Sequence, residues 1–146
     1  MPDSSELDAR MRGLLVRAES IAVVGIKADA SEDANRVPRY MQDQGYRILP
    51  VNPKLDHVLG ENAFASLHEV DTPIDLVNLF RAPRFLAQHV DEILRLDPLP
   101  LGVWTQLGIR DDTQARRLSA AGIEVVQDRC LLVEHRRLAP KSRGSR

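Results

Sequence analysis

Apolar residues along this chain fall into two alternating kinds of run. Five are short and nearly continuous, at residues 21–26, 46–51, 74–80, 101–105 and 123–127. Runs of that length, bounded by turn residues such as Gly45 and Asn52-Pro53, predict strands buried on both faces. Between them the apolar positions recur at helical spacing. Ser4 or Ser5 caps a first helix carrying Leu7, Met11, Leu14, Leu15 and Ala18 on one face, with Gly13 as its weak point. Residues 36–44 predict a second helix closed by Gly45, with Pro38 near the start, where a missing N–H does no harm. A short helix is expected at 66–70. Pro83 opens a longer one to about Leu96, with Phe85, Leu86, Val90, Ile93 and Leu94 inward. Asp111 or Asp112 caps the next, which runs through Ala121 to Gly122.

Strands alternating with helices predict an α/β domain: a doubly wound, mainly parallel five-stranded sheet with helices on both faces. Such sheets bind ligands outside the carboxyl ends of their strands. The candidate positions are therefore those just after each strand: Gly25-Ile26-Lys27, Asn52-Pro53, Phe80-Arg81, Gln106-Leu107-Gly108 and Asp128-Arg129-Cys130. The first of these suits a phosphate. A strand turns at Gly25 into a polar loop and a helix, which aims free N–H groups, Lys27 and Arg36 at whatever sits there.

The usual dinucleotide fingerprint is missing. Where G-x-G-x-x-G would place its later glycines, the chain has Lys27 and Ala30. The second strand ends on Asn52-Pro53, without the Asp or Glu that accepts the ribose hydroxyls. A nicotinamide site is thus disfavoured, and Lys27, Arg36 and Arg81 favour a ligand with several phosphates. Phe80 has the alternatives of covering an adenine ring or filling the core.

Composition narrows the field. At 146 residues, 43% apolar and 28% charged, the chain has the make-up of an ordinary globular domain. A net charge of −1 gives no global field for nucleic acid or anionic membrane. No apolar run approaches the roughly 18–20 residues that span a bilayer. The acidic start Met1-Pro-Asp-Ser-Ser-Glu does not read as a signal peptide. Cys130 stands alone, which leaves no intramolecular disulfide or multi-cysteine zinc site. A cytoplasmic protein without a metal is expected. Its domain is expected to span residues 1–138, with residues 139–146 as a basic, disordered tail; the wider basic run from Arg129 to Arg146 has the alternative use of attracting RNA or phosphate.

Several stretches together carry a resemblance: Ile21-Ala-Val-Val-Gly-Ile, Asn35-Arg-Val-Pro-Arg-Tyr-Met, Gly45-Tyr-Arg-Ile-Leu-Pro-Val-Asn-Pro and Ile74-Asp-Leu-Val-Asn-Leu-Phe-Arg. Val103-Trp-Thr-Gln-Leu-Gly-Ile and Val126-Gln-Asp-Arg-Cys-Leu continue it. In their order and spacing the chain resembles the small stand-alone coenzyme A-binding proteins, Rossmann-like domains related to the nucleotide-binding domain of the succinyl-CoA synthetase α-subunit. The resemblance covers residues 10–138. It implies CoA across the sheet edge, with Gly25, Ile26, Lys27, Arg36 and Val37 at the pyrophosphate. It further implies Asn52 and Pro53 bordering the adenosine, Phe80 and Arg81 against the nucleotide, and Gln106, Leu107 and Gly108 along the pantetheine. The synthetase chemistry uses a histidine of a further domain and is not implied.

Catalytic signals are few. His57, His68 and His89 read as surface residues, and no paired His/carboxylate motif appears at ligand spacing. Cys130 with His135 is the one nucleophile–base pairing to test. Its sharper version is a redox-dependent mixed disulfide between Cys130 and the CoA thiol, and its plainer version a buried cysteine. The expected function is binding of CoA or an acyl-CoA without catalysis, in a protein that acts alone, as an oligomer or with a protein partner. The alternatives are an NAD(P)-dependent oxidoreductase or CoA-transfer enzyme completed by a partner, and a regulatory module that reports CoA occupancy.

Overall fold

The computed structural model describes residues 4–138 and 140. Ser4–Arg17 forms α1, Ser20–Val24 β1, Asp33–Asp43 α2 and Arg47–Val51 β2. A hairpin follows, β3 (His57–Val58) and β4 (Glu61–Asn62), then a 3-10 turn at Leu67–Glu69 and β5 (Leu76–Leu79). A second 3-10 turn at Pro83–Phe85 leads into α3 (Leu86–Ile93). The order ends with β6 (Gly102–Thr105), α4 (Asp112–Ala120), β7 (Glu124–Val126) and α5 (Leu131–Leu138).

Five strands pair in parallel in the order β2-β1-β5-β6-β7, each ending within two residues of its predicted limits. Beyond β2, Phe64 adds one parallel bridge to Val51, its N–H on Pro50 O and its carbonyl on Asn52 N, both at 2.9 Å. If Phe64 counts as a third strand shrunk to one residue, the order is that of the Rossmann-like sheet.

Alternation along each strand sorts the core into two layers. β1 sends Ile21 and Val23 to one face, against Met11 and Leu14 of α1, Met41 of α2 and Leu131 of α5. Ala22 and Val24 meet Leu86, Val90 and Ile93 of α3 and Leu118 of α4 on the other. Burial of each such side chain is worth about 1.5–3 kcal/mol. Trp104 is fully buried on β6, and its indole N–H donates to Arg129 O at 2.9 Å. The doubly wound α/β expectation holds.

The departures have local causes. α2 begins at Asp33, three residues before the expected Arg36, because Glu32 already takes the extended cap conformation (φ −88°, ψ 146°). Pro38 therefore sits in the second turn, where it leaves the Ala34 carbonyl without its helical donor. The residues between 54 and 66 hold a hairpin closed by Leu59 (φ 55°) and Gly60 (φ 76°), the paired positive φ values of a two-residue turn. α5 was not anticipated, since Glu134 and His135 are buried at positions where an apolar stripe is expected. The expected tail lies outside the described residues except for Pro140. Among the described residues no helix is long and apolar enough to cross a membrane.

Candidate functional site

The sheet reverses its direction of growth at β1, between β2 and β5, and there the strand ends separate to leave a crevice. Gly25 forms its floor. Its N–H donates to Val51 O at 3.0 Å, and Phe80 N–H donates to Val24 O at 2.9 Å, so the ends of β2, β1 and β5 are stitched together just below it. Gly25 has φ +88°, and a Cβ there would lie 2.5 Å from the Phe80 carbonyl oxygen. Both facts require glycine at this turn.

Two asparagines and a proline hold the loop that follows. Lys27 N–H donates to Ala34 O at 3.2 Å, the carbonyl that Pro38 leaves without a helical donor. Asn35, 3% exposed, donates through Nδ2 to Lys27 O at 2.8 Å. Asn52 donates to Ile26 O at 2.7 Å and accepts Lys54 N–H at 2.8 Å. Asn52 thus uses both ends of its amide on the backbone, which explains its identity without a ribose. Asp29 accepts both the N–H and the hydroxyl of Ser31, and these bonds lower its pKa below the usual carboxylate value.

Above this floor lies a cleft of about 720 Å³, within the range of small-molecule sites. Lys27, Lys54 and Arg81 are the cations on its wall. Lys27 reaches Glu32 at 3.5 Å across the loop, with both side chains about half exposed, so this pair contributes little and yields readily. Arg81 lies over the Phe85 ring, its guanidinium carbon 4.1 Å from the centroid, and its Nε–H donates to His89 Nε2 at 3.2 Å. His89 Nδ1 meets Glu92 Oε1 at 2.8 Å.

His89 corrects the expectation of a surface histidine: it is 7% exposed and lines the cleft. The signal was present, because residue 89 lies three after Leu86 and four before Ile93 on the inward stripe of α3, with a carboxylate three residues on. Lys54 was also missed. It follows Asn52-Pro53 directly and needed only one more residue to be read as part of that strand end.

Of the predicted site residues, Gly25, Lys27, Asn52, Pro53, Phe80 and Arg81 line this cleft together. Ile26 and Val37 are fully buried in the core beneath the loop. Arg36 is exposed on the outer side of α2 and pairs with Asp33. Gln106, Leu107 and Gly108 lie outside the cleft, at the end of β6. There Gln106 Oε1 accepts Leu131 N–H at 3.3 Å at the start of α5, Gly108 N–H donates to Asp128 Oδ1 at 2.6 Å, and Leu107 is 69% exposed. Cys130 is half-buried just before α5 and packs on the core. No hydrogen bond joins it to His135, whose Nδ1 is taken by the Tyr40 hydroxyl at 2.9 Å and whose Nε2 is buried without a hydrogen-bond partner. Burial pushes the His135 pKa down.

A smaller hollow of about 220 Å³, lined by Thr72, Ile74, Leu96 and Asp97 among others, carries no cation. Among the described residues no group of three or more His, Cys, Asp or Glu side chains could hold a metal ion.

Comparison with known proteins gives the family and the fold. Residues 19–136 match the family model described as a CoA binding domain. The chain is 39% identical over 127 residues to the uncharacterized protein YneT of Bacillus subtilis, covering 87% of this chain and 93% of that one. The solved structure of cell-free ID.343 from Thermus thermophilus superposes with a TM-score of 0.85 at 47% identity, over 90% of this chain and 98% of that one. A hypothetical protein from Pyrococcus horikoshii OT3 gives 0.85 at 32% identity, over 90% and 92%.

Proposed function

Because this chain belongs to the CoA binding domain family, we propose that its cleft seats coenzyme A or an acyl-CoA by the nucleotide half, as a binding module. Family membership supports CoA as the ligand. One observation carries the location: Lys27, Lys54 and Arg81 come from three separate strand ends to a single cleft. CoA has three phosphoryl groups, two in its pyrophosphate and one on the ribose 3′ oxygen. A site with three separated cations matches that count. The Arg81 fork suits two oxygens of one phosphate, while the lysines act as point charges.

Phe80 and Phe85 offer apolar surface beside Arg81 for the adenine. Gly25 and the Lys27 loop border the pyrophosphate, and Asn52-Pro53 with Lys54 border the ribose end. Ile26 and Val37 act from the core by holding the loop against α2. Arg36 reaches the ligand only by leaving Asp33. The pantetheine arm runs out along the sheet edge toward Gln106-Leu107-Gly108, where the exposed Leu107 gives it an apolar contact. The acyl group then projects beyond the cleft, and CoA occupancy becomes a state that a protein partner or a second copy can read.

Titration calorimetry against CoA, acetyl-CoA, NAD and ATP tests the reading. CoA and acetyl-CoA should bind alike and more tightly than NAD. Each of Lys27→Ala, Lys54→Ala and Arg81→Ala removes a charge-assisted phosphate contact worth about 1.5–3 kcal/mol, so each should weaken CoA roughly tenfold or more. NAD binding equal to or tighter than CoA binding would overturn it.

A further inference from the structure

Arg81, His89 and Glu92 form a chain of hydrogen bonds along one wall of the cleft, and its direction is determined by chemistry. An arginine Nε can only donate. At 3.2 Å it donates to His89 Nε2, so that nitrogen carries a lone pair and no proton. The neutral ring then has its proton on Nδ1, which donates to the Glu92 carboxylate at 2.8 Å. Glu92 thereby selects the tautomer that His89 needs in order to accept from Arg81.

The result is a guanidinium held at two points. Its face rests on Phe85, 4.1 Å from the ring centroid, and its Nε–H is taken by His89. Among the described residues neither of its Nη groups is taken up by a hydrogen bond, so the fork is left for a ligand. His89 and Glu92 are well placed to hold their geometry, since their side chains are only 9% and 18% exposed. Their helix is anchored by Leu86, Val90 and Ile93, all at most 2% exposed.

We propose that His89 is a positioning residue for phosphate recognition: with its tautomer set by Glu92, it pre-orients the Arg81 fork toward the cleft. This rests on the reading of the cleft as a CoA site and deepens it. A histidine that merely fills the inward stripe of α3 would affect stability alone. One that positions Arg81 affects affinity, and only while Arg81 is present. Without His89, binding must itself immobilise the arginine, which costs about 0.5–1.5 kcal/mol, or about two- to twelvefold in affinity.

The test has two arms. In the first, calorimetry measures CoA binding by the wild type, Arg81→Ala, His89→Ala and the double variant, each at a temperature where thermal melts show it folded. His89→Ala should weaken binding about two- to twelvefold in the wild-type background and leave it unchanged in the Arg81→Ala background. His89→Gln, whose side-chain oxygen can accept the same N–H, should recover most of the loss. Effects that simply add overturn the proposal. If the wild type binds no CoA, the reading of the cleft fails and the positioning role falls with it. If it binds CoA and the effects add, the positioning role alone falls. In the second arm, long-range ¹⁵N correlation spectra of the ligand-free protein report the His89 tautomer. A proton on Nδ1 is expected, and a proton on Nε2 would overturn the proposal whatever the ligand.

Discussion

Replacing Gly25 by alanine should disable the cleft and destabilise the chain together, and the two costs can be separated. Gly25 has φ +88°, where an L-residue pays about 1–2 kcal/mol. The added Cβ would also lie 2.5 Å from Phe80 O and 3.2 Å from Phe80 C, both backbone atoms that cannot rotate away. Overpacking of that kind adds about 1–3 kcal/mol. The total of about 2–5 kcal/mol corresponds to a fall in melting temperature of roughly 4–20 °C for a chain of this length. Gly60→Ala is the internal control. It carries a similar φ of +76° but has nothing within 4 Å of the added atom, so it incurs the backbone cost alone. Scanning calorimetry should therefore rank wild type above Gly60→Ala and Gly60→Ala above Gly25→Ala. Because relief of the clash moves Phe80 and Arg81 relative to the Lys27 loop, Gly25→Ala should also lose CoA affinity, whereas Gly60→Ala should keep it. If Gly25→Ala melted with Gly60→Ala and bound CoA as the wild type does, the close approach of β1 and β5 would not be what shapes the site.

Three further outcomes follow from individual contacts. Asn52→Asp replaces the donor to Ile26 O by an acceptor, so it should destabilise by about 1–3 kcal/mol in urea unfolding without gaining NAD affinity. A gain in NAD binding would show that Asn52 stands in for a ribose ligand after all. His135 is held below its ordinary value of 6.5 in the folded chain by burial, while the unfolded chain titrates at that value. Its contribution is then fully present above pH 6.5 and lost as pH falls toward the lowered folded value, because the unfolded state binds the extra proton in that window. His135→Phe should flatten the dependence of stability on pH there, and an unchanged slope would assign it to other groups. Pro38→Ala restores a helical donor to Ala34 O in competition with Lys27 N–H, so hydrogen exchange should speed at the Lys27 amide while the rest of α2 stays protected. Equal protection in both proteins would count against the proline's role in tethering the loop.

Most of the fold was legible in the sequence because a sheet buried on both faces leaves a plain mark. Ile21 to Val24 and Leu76 to Leu79 are apolar or fully enclosed throughout, and no helical periodicity imitates them. The weakly marked elements are those stabilised from a distance. α5 starts at Leu131, whose N–H is met by the side chain of Gln106, 25 residues earlier, and no local cap announces it. In the cleft the sequence pattern located Gly25, Lys27 and Arg81 by their distance from strand ends. It could not show that Arg36 pairs with Asp33, because starting α2 three residues earlier places Arg36 almost a full turn inside the helix, with Asp33 as its i−3 neighbour, and not at the entrance facing the loop. His89 was hidden by its residue type. A titratable side chain on an otherwise apolar stripe reads as a surface group, although its spacing from Leu86 and Ile93 places it inward.

The two halves of the sheet edge differ in how their polar groups are used, and this argues for where a ligand enters. At the ends of β6 and β7 the loops satisfy one another. Thr105 Oγ1 donates to Ile109 O at 2.7 Å and accepts Asp128 N–H at 3.1 Å, and Gln127 Oε1 accepts Asp111 N–H at 2.8 Å. A phosphate there would have to displace bonds already made, whereas the pantetheine arm needs only the exposed Leu107 side chain. At the ends of β1, β2 and β5 Asn35 and Asn52 likewise hold backbone, but the cations stand apart from those bonds. Lys27 keeps a half-exposed ion pair with Glu32, and Arg81 is held by His89 at Nε and by the Phe85 face while its Nη groups stay open. Phosphate oxygens that replace the Glu32 partner of Lys27 and occupy the open Arg81 fork gain charge-assisted bonds and leave the asparagine and histidine fastenings intact. The missing glycines of the dinucleotide fingerprint fit the same logic. Loop 26–36 is held by side chains and a freed carbonyl, so a single glycine, at the one point where β1 passes against Phe80, is enough.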